Sequence, residues 1–198
     1  MAITTLTELR TAVSDRLSRV DLTSTVLDEC VVLAEADMQR ELDTLDQETT
    51  NASYSITGEF VAVPTGCDMV RSFHLNRAEP WPLRQMPSDL QNFPATDIPM
   101  YFERVGGNFR FAPIPNATYT ATIVYVARFT PLTSSANWLL TAHPDAYLYG
   151  TLKHACVKTQ DTAGIGQFDG EFQKIIARIN RRSRKARWSG PGLQIRPA

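Results

Sequence analysis

The chain has 198 residues, 43% hydrophobic and 21% charged, a profile that excludes a disordered tail protein and is long enough to bury a core without disulfide or metal staples. Its formal net charge of −1 hides a strong polarity. Residues 1–48 hold eleven acids against four arginines (net −7), residues 49–171 are net −2, and residues 172–198 hold eight basic residues and no acid (net +8).

Apolar runs are only a few residues long, far below the roughly 20 needed to cross a bilayer, and the start of the chain lacks the pattern of a signal peptide. Cys30, Cys67 and Cys156 are widely spaced and suggest neither a disulfide framework nor a zinc knuckle. A protein made in a reducing cytoplasm, without membrane contact, is expected.

Leu6, Leu9, Val13 and Leu17 recur at helical steps behind the capping box Thr5-Leu6-Thr7-Glu8, which predicts a helix over residues 5–19. A second helix is predicted over 25–44. There Thr25 and Asp28 repeat the capping logic, and Val26, Leu27, Cys30, Val31, Leu33, Ala34, Met38 and Leu42 are the apolar positions.

From Thr49 the period switches to two. Ala52, Tyr54 and Ile56 alternate with polar residues, and Gly58 turns the chain into Phe60-Val61-Ala62-Val63, which reads as a hairpin. Further strands are predicted over 69–75, 81–85, 100–104, 109–112 and 119–128, separated by turns such as Gly106-Gly107-Asn108 and Pro113-Ile114-Pro115-Asn116. The middle of the chain is therefore expected to be a small antiparallel sheet with irregular loops.

Helical periodicity returns over 136–140 and over 144–158, where Pro144 suits the first helical position and Asp145 the positive end of the dipole. Residues 161–166, with Gly164 and Gly166, read as a linker. A last helix follows with Phe168, Phe172, Ile175, Ile176 and Ile179 on one face, and residues 189–198, rich in proline and glycine, read as an extended arm. The expected fold is α+β: a helical bundle from residues 1–48 and 133–188, an inserted antiparallel β-domain over 49–132, and the C-terminal arm.

The residues that carry chemistry elsewhere are sparse. His74, His143 and His154 are scattered, and His154 with Cys156 reads as a surface histidine beside a packed cysteine rather than a metal pair. Gly164-x-Gly166 and Gly106-Gly107 lack the context of a phosphate loop. Asp28, Glu29, Glu35, Asp37 and Glu41 read as a solvated or partner-facing acidic surface. No catalytic, metal or cofactor residue is expected.

The C-terminal helix is more informative. Lys174, Arg178, Arg181, Arg182 and Lys185 share one stripe, with Phe168, Phe172, Ile175, Ile179 and Ala186 on another face. Six of the ten residues 178–187 are basic, more than dipole capping requires. An anionic partner is implied: nucleic acid, an acidic protein surface, or the acidic head of a neighbouring copy. Trp188, Leu193 and Ile195 read either as a frayed end or as an anchor threading into a partner.

The N-terminal helix pair, the strands around Phe109-Arg110-Phe111-Ala112-Pro113 and Thr122-Ile123-Val124-Tyr125-Val126, and above all the block Asn137-Trp138-Leu139-Leu140-Thr141-Ala142-His143-Pro144-Asp145-Ala146-Tyr147-Leu148-Tyr149-Gly150 resemble the head-to-tail adaptor (connector) proteins of tailed bacteriophages. The resemblance extends over residues 3–189. It implies a structural protein of the virion neck that meets its partners in the host cytoplasm during assembly. Such a protein forms a ring, usually of twelve copies, beneath the portal, extends the DNA channel and offers a platform to tail or nozzle proteins.

By the same resemblance Arg178, Arg181, Arg182, Arg184, Lys185, Arg187, Trp188, Leu193 and Ile195 reach the portal or a neighbouring subunit, and the β-domain faces the tail. Asn137, Trp138, Leu139, Leu140, Pro144, Asp145, Tyr149 and Gly150 form a structural motif. Double-stranded DNA would pass through the lumen with only non-specific contact. The rival reading is a DNA-binding regulatory or packaging-associated protein that uses the basic helix.

Overall fold

The computed structural model describes residues 3–19, 21–87, 96–132 and 136–187. Trp188 and the arm expected over 189–198, with Leu193 and Ile195, lie outside them. The fold is α+β and divides into two compact units, one built from the segments up to residue 45 and from residue 129 onward, the other from residues 46–128.

The first unit is helical. Helix α1 (Leu6–Leu17) opens with the expected capping box: the Thr5 hydroxyl accepts from the Glu8 N–H at 3.2 Å and the Glu8 carboxylate from the Thr5 N–H at 3.0 Å. Helix α2 (Ser24–Glu41) starts earlier than expected, because Thr23 rather than Thr25 caps it by accepting from the Val26 N–H at 3.4 Å. It also stops short of residue 44, where Leu42 turns extended. Leu33 is 51% exposed rather than core, since it sits roughly 120° around the helix from the stripe of Leu27, Val31, Ala34 and Met38.

Helices α3 (Trp138–Ala142), α4 (Pro144–Lys158) and α5 (Thr162–Arg187) complete the bundle. Leu9 and Val13 of α1 and the α2 stripe pack with Leu139, Leu140, Tyr147, Leu152, Phe172, Ile176 and Ile179. Each buried aliphatic or aromatic side chain contributes about 1.5–3 kcal/mol.

The glycine-rich stretch predicted as a linker is the first turn of α5. Helix α4 ends in a Schellman turn, with Gln160 at φ 58°, its N–H on the Val157 carbonyl and the Asp161 N–H on the Cys156 carbonyl. Asp161 then caps α5 by accepting from the Gly164 N–H at 3.1 Å. Gly164 is required by packing rather than flexibility: a Cβ there would clash with the capping Asp161 carboxylate and would lie 2.7 Å from the Cys156 sulfur.

Polar groups tie this bundle together. The segment that re-enters it at Phe129 runs along α2, where Gln39 Oε1 accepts from the Phe129 N–H at 3.2 Å and the Glu35 carboxylate from the Leu132 N–H at 2.5 Å. The same Glu35 oxygen accepts from the Tyr147 hydroxyl at 2.8 Å, and the Asn137 amide donates to Tyr147 Oη at 2.6 Å and to the Thr130 carbonyl at 2.8 Å. Burial pushes the Glu35 carboxyl above the usual carboxylate range, against the lowering effect of its two hydrogen bonds.

One turn beyond Glu35's neighbours, Asp37 meets Lys153 Nζ at 3.1 Å, His154 Nε2 at 2.9 Å and the Arg40 guanidinium. Burial opposes its ionisation, but the hydrogen bonds from Lys153, His154 and Arg40 and the charge of Lys153 prevail and hold it below the usual range. Two sequence readings change here. His154 is only 15% exposed and bonded, not a surface histidine, and Glu35 and Asp37 belong to the bundle interior and its seam, not to a solvated acidic face.

Among its described residues the second unit carries ten strands: β1 (Glu48–Ile56), β2 (Phe60–Ala62), β3 (Cys67–Leu75), β4 (Trp81–Pro82), β5 (Arg84–Gln85), β6 (Thr96–Asp97), β7 (Tyr101–Val105), β8 (Asn108–Ala112), β9 (Ile114–Pro115) and β10 (Tyr119–Ala127). They make two four-stranded sheets, ordered β1-β10-β3-β4 and β2-β8-β7-β5, and a two-stranded pair β6-β9, in place of one antiparallel sheet. The first is antiparallel throughout; the β5-β7 and β6-β9 pairs are parallel.

The expected β1-β2 hairpin does not form. β1 pairs with β10 and β2 with β8, because alternation tells which face of a strand is buried but not which strand lies beside it. The predicted strand over 81–85 also splits at buried Leu83, with one half on each sheet. Between the sheets Phe73 meets Tyr54, Phe102, Phe109 and Phe111 edge to face, with centroids 5.2–5.7 Å apart.

Three outcomes test this packing. Gly164→Ala should lose about 1–3 kcal/mol in urea unfolding despite the better helix propensity of alanine, because the methyl meets the Cys156 sulfur. Glu35→Leu should cost about 1–3 kcal/mol by stranding the Leu132 N–H and the Tyr147 hydroxyl.

The third is a pH profile. A raised Glu35 contributes stability that is full below the unfolded carboxyl pKa and lost as pH rises through its folded value. A lowered Asp37 contributes stability present above the unfolded pKa and lost as pH falls through its folded value. Stability measured against pH should therefore lose acid sensitivity in Asp37→Asn and lose its alkaline-side decline in Glu35→Gln.

Candidate interaction surface

Helix α5 has two opposite faces. Phe172, Ile175, Ile176, Ile179 and Ser183 are buried, while Lys174, Arg178, Arg181, Arg182, Arg184 and Lys185 are exposed around the other side, with exposed Ala177 among them. Helical spacing dictates this split, since the apolar residues step by three and four and the basic residues fall between them. Ala186, expected on the apolar face, is exposed. A shallow groove on the basic side is lined by Ala177, Arg181, Arg184 and Lys185.

Charge pairing distinguishes members of the stripe. Lys174 binds Glu171 at 2.7 Å, and Arg187, only 26% exposed, binds Asp43 at 3.2 Å. Arg181, Arg182, Arg184 and Lys185 have no ion pair among the described residues. Four cations held within two turns repel one another until an anion relieves them.

The acidic N-terminal segment behaves differently. Asp28 binds Arg10 at 2.6 Å, Asp21 binds Arg19 at 3.1 Å, Glu29 binds Lys158 at 3.5 Å and Glu48 binds Arg71 at 3.4 Å. With Asp37 and Asp43 also paired, Glu8 capping, Glu35 buried and Glu41 accepting from Gln173 at 3.1 Å, only Asp15 and Asp46 have carboxylates without a partner among the described residues. Most carboxylates of this segment thus have a partner within the chain, although the segment keeps its net negative charge.

The block from Asn137 to Gly150 supplies Leu139, Leu140, Ala146, Tyr147 and Leu148 to the bundle core, while Thr141, Ala142 and Asp145 are exposed. Asn137 caps α3 by accepting from the Leu140 N–H at 2.9 Å; Leu139 and Leu140 are buried, and Trp138 packs beside them. Pro144 opens α4, and the Asp145 carboxylate accepts from the Ala146 N–H at 3.1 Å. Tyr149 lies under the Arg16 guanidinium, 5.6 Å from ring centre to Cζ. Gly150 lets α2 and α5 approach α4, since a Cβ there would be 3.1 Å from both Ala34 and Phe172.

Sequence reading missed two apolar surfaces. On the bundle, Val32, Leu33 and Val157 are 62%, 51% and 53% exposed. On the β unit, exposed Trp81 and Met100 line a shallow pocket with Pro82, Arg84 and Tyr101. The signal was present at Val32 and Leu33, which fall off the α2 core stripe; at Trp81 it was not, because a short strand does not reveal that both its faces lack cover. Among the described residues no group of three or more His, Cys, Asp and Glu side chains gathers to hold a metal, and no helix is long and apolar enough to cross a membrane.

A comparison with curated proteins returns no match. The family described as SU10 adaptor protein matches residues 4–195, the bundle and the β unit together. With nearly its whole length accounted for by that match, the chain belongs to the SU10 adaptor protein family, the structural adaptors of the phage head-to-tail junction.

Proposed function

We propose that the protein assembles as a ring beneath the portal of a phage capsid, extends the DNA channel and provides the platform on which tail or nozzle proteins dock. The observation that carries this reading is the exposed cluster Arg181, Arg182, Arg184 and Lys185 of α5, without ion pairs among the described residues and opposite the helix's buried face, in a chain of an adaptor family. A cationic surface that the fold leaves unneutralised is a surface for another molecule.

In this reading the end of α5, from Arg178 to Arg187, engages the portal together with Trp188, Leu193 and Ile195, which lie outside the described residues. The exposed Val32, Leu33 and Val157 support contacts between copies, since large aliphatic side chains gain when a neighbour removes them from water. The Trp81 and Met100 pocket supports docking of tail proteins on the β unit. DNA in the lumen is held loosely, by its phosphates and without base readout. Twelve copies is the number the family resemblance suggests, and the virion neck is the proposed location.

Native mass spectrometry of the protein mixed with portal from the same virus tests the reading. A stoichiometric ring on the portal is expected; a monomer that ignores portal and binds duplex DNA overturns it in favour of the regulatory alternative. Leu33→Asp should weaken ring formation at least about tenfold with little change in the unfolding midpoint of the monomer, because the side chain is solvated in the free protein. Deleting residues 191–198 should reduce portal binding; unchanged binding would remove the arm from the interface.

A further inference from the structure

We infer that the groove formed by Ala177, Arg181, Arg184 and Lys185 on α5 is a receptor for a short cluster of carboxylates on a different protein, and is neither the contact between copies of this chain nor a duplex DNA site. This deepens the portal-docking part of the proposed function and rests on it.

Three observations carry it. The first is that Arg181, Arg182, Arg184 and Lys185 are exposed and without ion pairs among the described residues, so an incoming carboxylate need not displace an internal acid. Arginine predominates, and its planar fork suits bidentate carboxylate binding. The second is that most acids of residues 1–48, the obvious complement in a neighbouring copy, already have a partner within their own chain: a cation for Asp21, Asp28, Glu29, Asp37, Asp43 and Glu48, a hydrogen bond for Glu8, Glu35 and Glu41. An acid that exchanges one cation for another gains little, so a copy-to-copy charge contact must compete with these internal partners.

The third observation is scale. From Arg178 to Lys185 the stripe rises about 10 Å, while residues 1–171 carry net −9. A duplex, with a charge every ~1.7 Å along its axis, extends well beyond such a patch, and its phosphates meet repulsion from the acidic remainder of the molecule. A cluster of a few carboxylates fits the stripe and ends before that repulsion starts.

Fluorescence anisotropy with a labelled oligoglutamate of about ten residues and with a labelled duplex of about 20 base pairs, at about 0.15 M salt, separates these cases. The full-length protein should bind the oligoglutamate at least about tenfold more tightly than the duplex. The triple variant Arg181→Glu/Arg184→Glu/Lys185→Glu should lose that binding by at least about tenfold, while Arg77→Glu, an exposed change on the β unit, leaves it unaltered.

Sedimentation of the triple variant should show self-association equal to that of the parent. Duplex binding as tight as oligoglutamate binding, loss of self-association in the triple variant, or no oligoglutamate binding by the parent would each overturn the inference. Circular dichroism of the triple variant establishes that it folds, and Arg182→Glu supplies a second, milder change if it does not. Portal docking is read separately by mass spectrometry: oligoglutamate binding without portal docking would sink the proposed function and leave the carboxylate receptor standing.

Discussion

The bundle depends on one buried carboxylate. Glu35 projects from α2 and accepts from the Leu132 N–H and the Tyr147 hydroxyl, while Asn137 holds both Tyr147 and the Thr130 carbonyl. That chain of hydrogen bonds joins α2, the re-entering segment, the start of α3 and the first turn of α4. A buried carboxylate is costly unless its lone pairs are satisfied, and here the partners lie about a hundred residues away in sequence. The polar chain therefore works only when the ends of the molecule have come together, which makes it a check on correct assembly of a bundle whose two halves are separated by the whole β unit.

The same constraint places the rest. With α2 held against the re-entering segment, Asp37 falls opposite Lys153 and His154, and Gly150 opposite Ala34 and Phe172. Helix α5 then covers α4 with its apolar face, and its basic face is what remains outside. The basic surface is in this sense set by packing: Arg181, Arg182, Arg184 and Lys185 are exposed because they lie opposite the buried face of Ile175, Ile176, Ile179 and Ser183.

Much of the helical unit was legible because helix signals are local. The Thr5 and Glu8 box, the Pro144 start and the stepped apolar residues of α4 and α5 each lie within a few turns of the structure they specify. The glycines at 164 and 166 misled, since glycine in sequence signals freedom, whereas Gly164 answers to the Cys156 sulfur on another helix. In the β unit, alternation marked Tyr54 and Ile56, which are buried, but also Ala52, which is exposed where the register of β1 shifts, and it could not say that β1 joins β10 and β2 joins β8, because a strand's edge carries the same backbone groups whatever its neighbour.

The sequence by itself determined the α+β class, the capped start of α1, the span of α4 and the basic stripe of the last helix. It also carried the resemblance that the family match bears out over residues 4–195. Only the tertiary structure decided which charges matter. Net charge by segment counts every acid equally, but whether Asp28, Glu35 or Asp43 presents its charge to a partner depends on what lies within a few ångströms of it, and those neighbours come from distant parts of the chain. Coulomb interactions fall off with distance and are screened by solvent, so contact geometry, and not composition, decides which acids of the head already have a partner and leaves Arg181, Arg182, Arg184 and Lys185 without an ion pair among the described residues.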